Sequence, residues 1–103
     1  MKKVIEGKMY NTETATLLAA YRYGQYGDFK YYSEELYVTA KGSYFLYGEG
    51  GALSPYAEHF GGGNSCEGEN IVPLSRQGAY DWCEENGRTK TIERYFSDLV
   101  EEA

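Results

Sequence analysis

Residues 34–48 read EELYVTAKGSYFLYG. Two runs rich in β-branched and aromatic residues, Glu34–Thr39 and Ser43–Gly48, flank the connection Ala40-Lys41-Gly42. A short, glycine-bearing connection between such runs is a hairpin signal. Side chains alternate along a strand, so Tyr44 and Leu46 face one way and Phe45 and Tyr47 the other. Both faces are apolar or aromatic. The second strand is therefore expected either at the centre of a sheet or as half of a binding face.

The pattern extends outward from this hairpin. Upstream, Lys3–Tyr10 (KVIEGKMY) reads as a strand with a bulge at Gly7. Thr14–Tyr23 reads as a strand with Ala15, Leu17, Ala19, Tyr21 and Tyr23 on one face. Thr14, Thr16, Leu18, Ala20 and Arg22 take the other. A helix over Glu13–Tyr21 competes, but the threonines and the aromatics that follow favour the strand. Gly24, Gly27 and Asp28 mark a loop.

Downstream, Glu49-Gly50-Gly51 reads as a break and Ser54–Phe60 as a short helical turn, Ser54 capping it and Pro55 opening it. Gly61–Asn70 reads as a flexible loop and Ile71–Leu74 as a short extended piece. Two helices close the chain. Ser75 suits the N-cap of the first and Gly87 its stop, with Ala79, Trp82, Cys83 and Asn86 at helical spacing. Gly78 costs that helix about 1 kcal/mol against alanine, and is expected to admit a close aromatic. From Thr91 a second helix is expected, with Ile92, Tyr95, Phe96, Leu99 and Val100 on one stripe. The expected fold is a single α+β domain over residues 1–103. It is an antiparallel meander of three to four strands, packed on one face by two C-terminal α-helices.

Composition points to binding. Twelve residues are tyrosine, eight of them between Tyr21 and Tyr47. Tyrosine joins a large apolar body to a polar tip, which suits surfaces buried only when a partner arrives. The net charge is −6 and unevenly placed. Residues 1–48 hold six basic and five acidic side chains; residues 49–103 hold four and eleven. An acidic face repels nucleic acid and attracts basic surfaces, though negative charge also simply keeps a small protein dissolved. No apolar run follows Met1-Lys2-Lys3 and none approaches a membrane span, so neither a secretory leader nor a membrane role is expected. The spacing of Cys66 and Cys83 suits neither a redox motif nor a disulfide framework, and a reduced, cytoplasmic setting is expected.

Catalytic patterns are sparse. His59 and Cys66 could pair, but Glu67 and Glu69 beside Cys66 oppose a reactive thiolate. Cys83 reads as a core residue. His59, Cys66 and Cys83 lack zinc-site spacing, and Glu67, Glu69 and Asn70 do not match a calcium loop, so no metal and no cofactor is expected. Gly48-Glu49-Gly50-Gly51 resembles a phosphate cradle without its lysine or hydroxyl, and reads better as a tight strand exit. Tyr31, Tyr32, Tyr44 and Tyr47 could stack bases, but Arg22, Lys30 and Lys41 are few cations for that task; direct nucleic-acid binding is not expected. The remaining candidate surface is acidic: Glu49, Glu58, Glu67, Glu69, Asp81, Glu84 and Glu85, with the same four tyrosines as aromatic anchors. These carboxylates form one surface if the glycine-rich loop folds near the first helix. Spaced carboxylates of this kind imitate phosphates and occupy basic grooves.

Gly7–Ala15 (GKMYNTETA), Asp28–Gly51, Ser54–Ala57 (SPYA) and Ile71–Trp82 (IVPLSRQGAYDW) together resemble a group of small proteins carried by phages and conjugative elements of Firmicutes. The resemblance spans about four fifths of the chain and carries no catalytic signature. It implies an inhibitor of host defence, an anti-CRISPR protein that binds a Cas effector and blocks its nucleic-acid groove or a moving domain. The alternative is a protein–protein interaction module serving conjugation or replication of the element. A third reading, an enzyme or small-molecule binder, would use Glu49, His59 and Tyr56. Either a monomer or a homodimer through an exposed tyrosine strand fits this reading.

Overall fold

A computed structural model describes all of residues 1–103. Eight strands come first: Lys2–Ile5 (β1), Lys8–Asn11 (β2), Thr16–Tyr23 (β3), Tyr32–Val38 (β4), Tyr44–Gly50 (β5), Glu58–Phe60 (β6), Asn64–Cys66 (β7) and Gly68–Leu74 (β8). Helices Arg76–Glu85 (α1) and Thr89–Tyr95 (α2) follow, then a 3-10 turn at Ser97–Leu99. The fold is α+β. Its centre is a four-stranded antiparallel sheet in the order β3-β4-β5-β8, with the two C-terminal helices packed against it.

The β4–β5 hairpin forms where the pattern places it. The Gly42 N–H bonds the Thr39 carbonyl, the Thr39 N–H bonds Ser43, and Gly42 takes a φ of 86°. A type I turn followed by a left-handed residue closes the loop, and only glycine takes that conformation without strain. β5 is central, and its two faces feed two separate cores. Leu36 and Leu46 pack under Ala79, Trp82, Cys83 and Phe96 on the helix face. Tyr37, Phe45 and Ile71 pack under Tyr10 on the other. Leu36 and Phe45 are fully buried, each contributing about 1.5–3 kcal/mol of apolar transfer.

Several segments differ from their sequence-based expectation. Gly7 is no bulge but the second residue of a tight turn, and the β1–β2 hairpin it closes covers the second face of the sheet. The bulge lies instead in β3, where the pairing slips between Leu17 and Ala19. Leu17 therefore stays exposed while Leu18, Ala19 and Tyr21 meet the helix-side core, and the five odd residues do not share one face. Glu49 and Gly50 continue β5, so the break comes at Gly51. Ser54–Ala57 makes one turn, with Ser54 Oγ accepting from the Tyr56 N–H, but the chain then extends into β6. Gly61–Asn70 is an ordered hairpin and the start of β8, the glycines serving the turn between β6 and β7.

The first helix follows its signals. Ser75 Oγ accepts from the Gly78 N–H, and at the far end the Arg88 and Gly87 N–H groups bond Cys83 and Glu84. No aromatic approaches Gly78; its neighbours are Ser75 and Leu74. The second helix is shorter than its stripe suggests: α2 ends at Tyr95, and Leu99 and Val100 remain partly exposed. From α2, Thr91 Oγ1 donates to the Leu18 carbonyl; from just before it, Arg88 Nε donates to the Ala20 carbonyl. Both carbonyls lie on the outer edge of β3, so these two side chains occupy part of that edge.

A candidate acidic interface

The site is built where β5 ends and β8 begins. Gly50 pairs with Gly68, Glu49 with Glu69, and Ser33 of β4 with Glu49. A cleft of about 800 Å³ opens at this end of the sheet. Asp28, Glu49, Glu58, Glu67 and Glu69 line it, and no basic residue does. Glu49 and Glu69 stand directly opposite each other, an arrangement that like charges oppose. Tyr47 relieves it: its hydroxyl donates to Glu69 Oε2 at 2.7 Å and lies 3.2 Å from Glu49 Oε2. Burial, then the bond to Glu69 and both carboxylates, hold this phenol well above its ordinary pKa.

Backbone proximity builds the rim. The Gly51 N–H bonds the Tyr31 carbonyl and the Leu53 N–H bonds the Phe29 carbonyl, both at 2.8 Å. A side chain at Gly51 would strike the carbonyls of Asp28 and Phe29. This docking pins the Gly24–Tyr31 loop and leaves Tyr26 85% and Phe29 70% exposed beside the cleft. Tyr31 beneath them is buried, edge-on to Tyr26.

The structure divides the sequence-derived candidates. Glu49, Glu58, Glu67 and Glu69 share the cleft with Tyr31. Asp81, Glu84 and Glu85 do not line it. They lie exposed on α1, which packs over the helix face, and there Gln77 donates to Asp81 and Tyr80 to Glu84. The seven carboxylates therefore do not form one surface. Tyr44 packs against Phe96 in the helix-side core. Tyr32 belongs to a cluster with Tyr21, Tyr23 and Tyr56 on that same side. Glu49, His59 and Tyr56 are not brought together. His59 is exposed on β6, and Tyr56 covers Gly48 on the face opposite Glu49. Gly48 and Gly50 are small because Tyr56 and Ser54 lie against them, which accounts for the glycine-rich strand end without phosphate.

Reading the residues missed Asp28, Tyr26, Phe29 and Glu34. The first three stood at a stretch read only as a loop, although Tyr26 between two glycines and Phe29 just after them were a usable signal. Glu34 takes hydrogen bonds from the Tyr56 hydroxyl and, at 2.9 Å, from Trp82 Nε1, tying the Ser54–Ala57 turn to α1. Burial, above all, raises the Tyr56 and Tyr32 phenols, and burial likewise raises the Cys83 thiol. No group of three His, Cys, Asp or Glu side chains converges as a metal site, and no helix is long and apolar enough to cross a membrane. No protein-family model, curated protein or solved structure matches the chain.

Proposed function

We propose that this protein acts by binding, as an inhibitor that fills a basic nucleic-acid groove of a host defence protein. The observation that carries this reading is the cleft: five carboxylates gathered without a cation and bordered by exposed aromatics. Carboxylates gathered at the end of the sheet present negative charge where a groove expects phosphates, which speeds encounter and sets orientation. The resemblance to proteins of mobile elements supports a Cas effector as the target and an anti-CRISPR role. The cleft joins four of the acidic candidates and Tyr31, and α1 supplies none.

The test is inhibition. The purified protein is added to a panel of CRISPR effectors, and target DNA binding and cleavage are followed. One effector is expected to lose DNA binding. Glu58→Lys with Glu67→Lys relieves that inhibition, and Glu84→Lys on α1 leaves it intact. Inhibition that ignores the cleft substitutions overturns the acidic groove-filling mechanism. No effect on any effector overturns the defence assignment and favours an interaction module of the mobile element.

A further inference from the structure

The sheet face that carries the cleft is only half covered. The β1–β2 hairpin packs over Tyr37, Phe45 and Ile71, whereas Glu49 and Glu69 lie on the open half of that face and line the cleft. Accepting the reading above, that this cleft takes a basic surface, we propose that the cleft, away from Arg22 on the same face, selects arginine over lysine. Its occupant is an extended, arginine-bearing segment of a partner protein.

Charge complementarity decides the sign of the occupant. Asp28, Glu58 and Glu67 accept no side-chain hydrogen bond within the protein, and the chain's one ion pair, Arg76–Asp98, lies elsewhere. The rim decides between the two cations. Tyr26, Phe29 and Leu53 are 85%, 70% and 62% exposed, yet Leu53 is fixed by its bond to the Phe29 carbonyl, and the loop is closed by Asp28 to Gln25 and Tyr31 to Asp28. Exposed apolar groups on a pinned backbone lose little freedom when a partner arrives. A lysine ammonium gains from the carboxylates as a point charge. A guanidinium also stacks on an aromatic face and grips a carboxylate with two N–H groups.

The molecule contains that arrangement once already. Arg76 holds both oxygens of Asp98 at 2.7 and 2.8 Å, and lies 5.4 Å from the centroid of the Phe96 ring. Phe29 lines the same cleft as Asp28 and Glu67, so the cleft offers an incoming guanidinium the same two kinds of partner.

The test measures binding of two labelled nonapeptides of equal charge, one arginine-rich and one lysine-rich, to the intact protein by fluorescence anisotropy. The arginine peptide is expected to bind roughly tenfold more tightly. Phe29→Ala removes that preference and leaves lysine-peptide binding within about twofold, as loss of one stacking contact dictates. Glu58→Gln with Glu67→Gln weakens both peptides. Circular dichroism confirms the fold of each variant. Equal affinity for the two peptides, a preference that survives Phe29→Ala, or no binding of either overturns the inference. So does occupation by a second copy through Lys2, Lys3 and Lys8, seen as concentration-dependent dimerisation that Lys3→Glu with Lys8→Glu abolishes. An effector inhibited without arginine preference leaves the groove-filling reading standing and sinks this one. Arginine preference with no inhibited effector does the reverse.

Discussion

At the residue scale, Glu34 and the tyrosines around it decide much of the local order. The carboxylate sits under α1 and accepts from Tyr56 and Trp82, so one side chain joins the sheet, the Ser54–Ala57 turn and the helix. Tyr56→Phe removes a hydrogen bond to a charged acceptor in a half-buried place. It is expected to cost about 1–3 kcal/mol in denaturant unfolding, with Trp82 fluorescence as the readout. The tyrosines also predict a pH dependence. Tyr37, Tyr47 and Tyr56 all hold their protons above the ordinary value of 10.0, chiefly through burial and then through bonds to Glu35, Glu69 and Glu34, with Tyr37 pushed up to about 12. The folded state binds these protons more tightly than the unfolded one. Their contribution is complete below the unfolded value near 10 and is lost as the pH rises through the folded values. Unfolding midpoints are expected to fall between pH 10 and 12, and to fall less steeply in Tyr47→Phe.

At the element scale, the close approach of the Ser54–Ala57 turn to β5 depends on a missing side chain. A Cβ on Gly48 would lie inside the Tyr56 ring. Gly48→Ala is expected to destabilise by about 1–3 kcal/mol, since the ring has to leave its place between Glu34 and the strand. Gly61→Ala, with open space around it and no left-handed φ, is expected to stay within about 0.5 kcal/mol. Paired thermal melts check both. The same pair explains what could be read in advance. Period-two alternation placed β4, β5 and most of β3, and Ser75 with Gly87 bounded α1, because those signals are local. Glu49-Gly50-Gly51 looked like a chain break because the reason for its glycines is tertiary: Ser54 and the Tyr31 carbonyl press against Gly50, and Asp28 and Phe29 against Gly51. The bulge at Leu18 left no mark in the alternation. The β6–β7 hairpin hid among glycines that also suit a loop. The acidic half of the site was legible as composition, but its separation from Asp81, Glu84 and Glu85 needed the helix placed over the other face.

At the scale of the whole molecule, charge is polarised. Lys2, Lys3 and Lys8 lie along the β1–β2 hairpin, Lys3 donating to Asn70, while the cleft at the end of the sheet collects carboxylates. Association with a basic partner is expected to be steered by that field. Its on-rate should drop at least about tenfold between 50 and 500 mM salt, with a smaller change in off-rate, as measured by stopped-flow mixing. Glu84→Lys should alter the on-rate less than Glu67→Lys, because only the latter lines the cleft.

Arg88 and Thr91 reach across to the carbonyls of Ala20 and Leu18 on the outer edge of β3. An eight-residue strand at a sheet boundary is otherwise a template on which further chains can add. Those two side chains therefore guard solubility as well as shape. With Arg88→Ala and Thr91→Val together, agitation at high concentration is expected to yield thioflavin-positive fibres, while the parent protein stays clear.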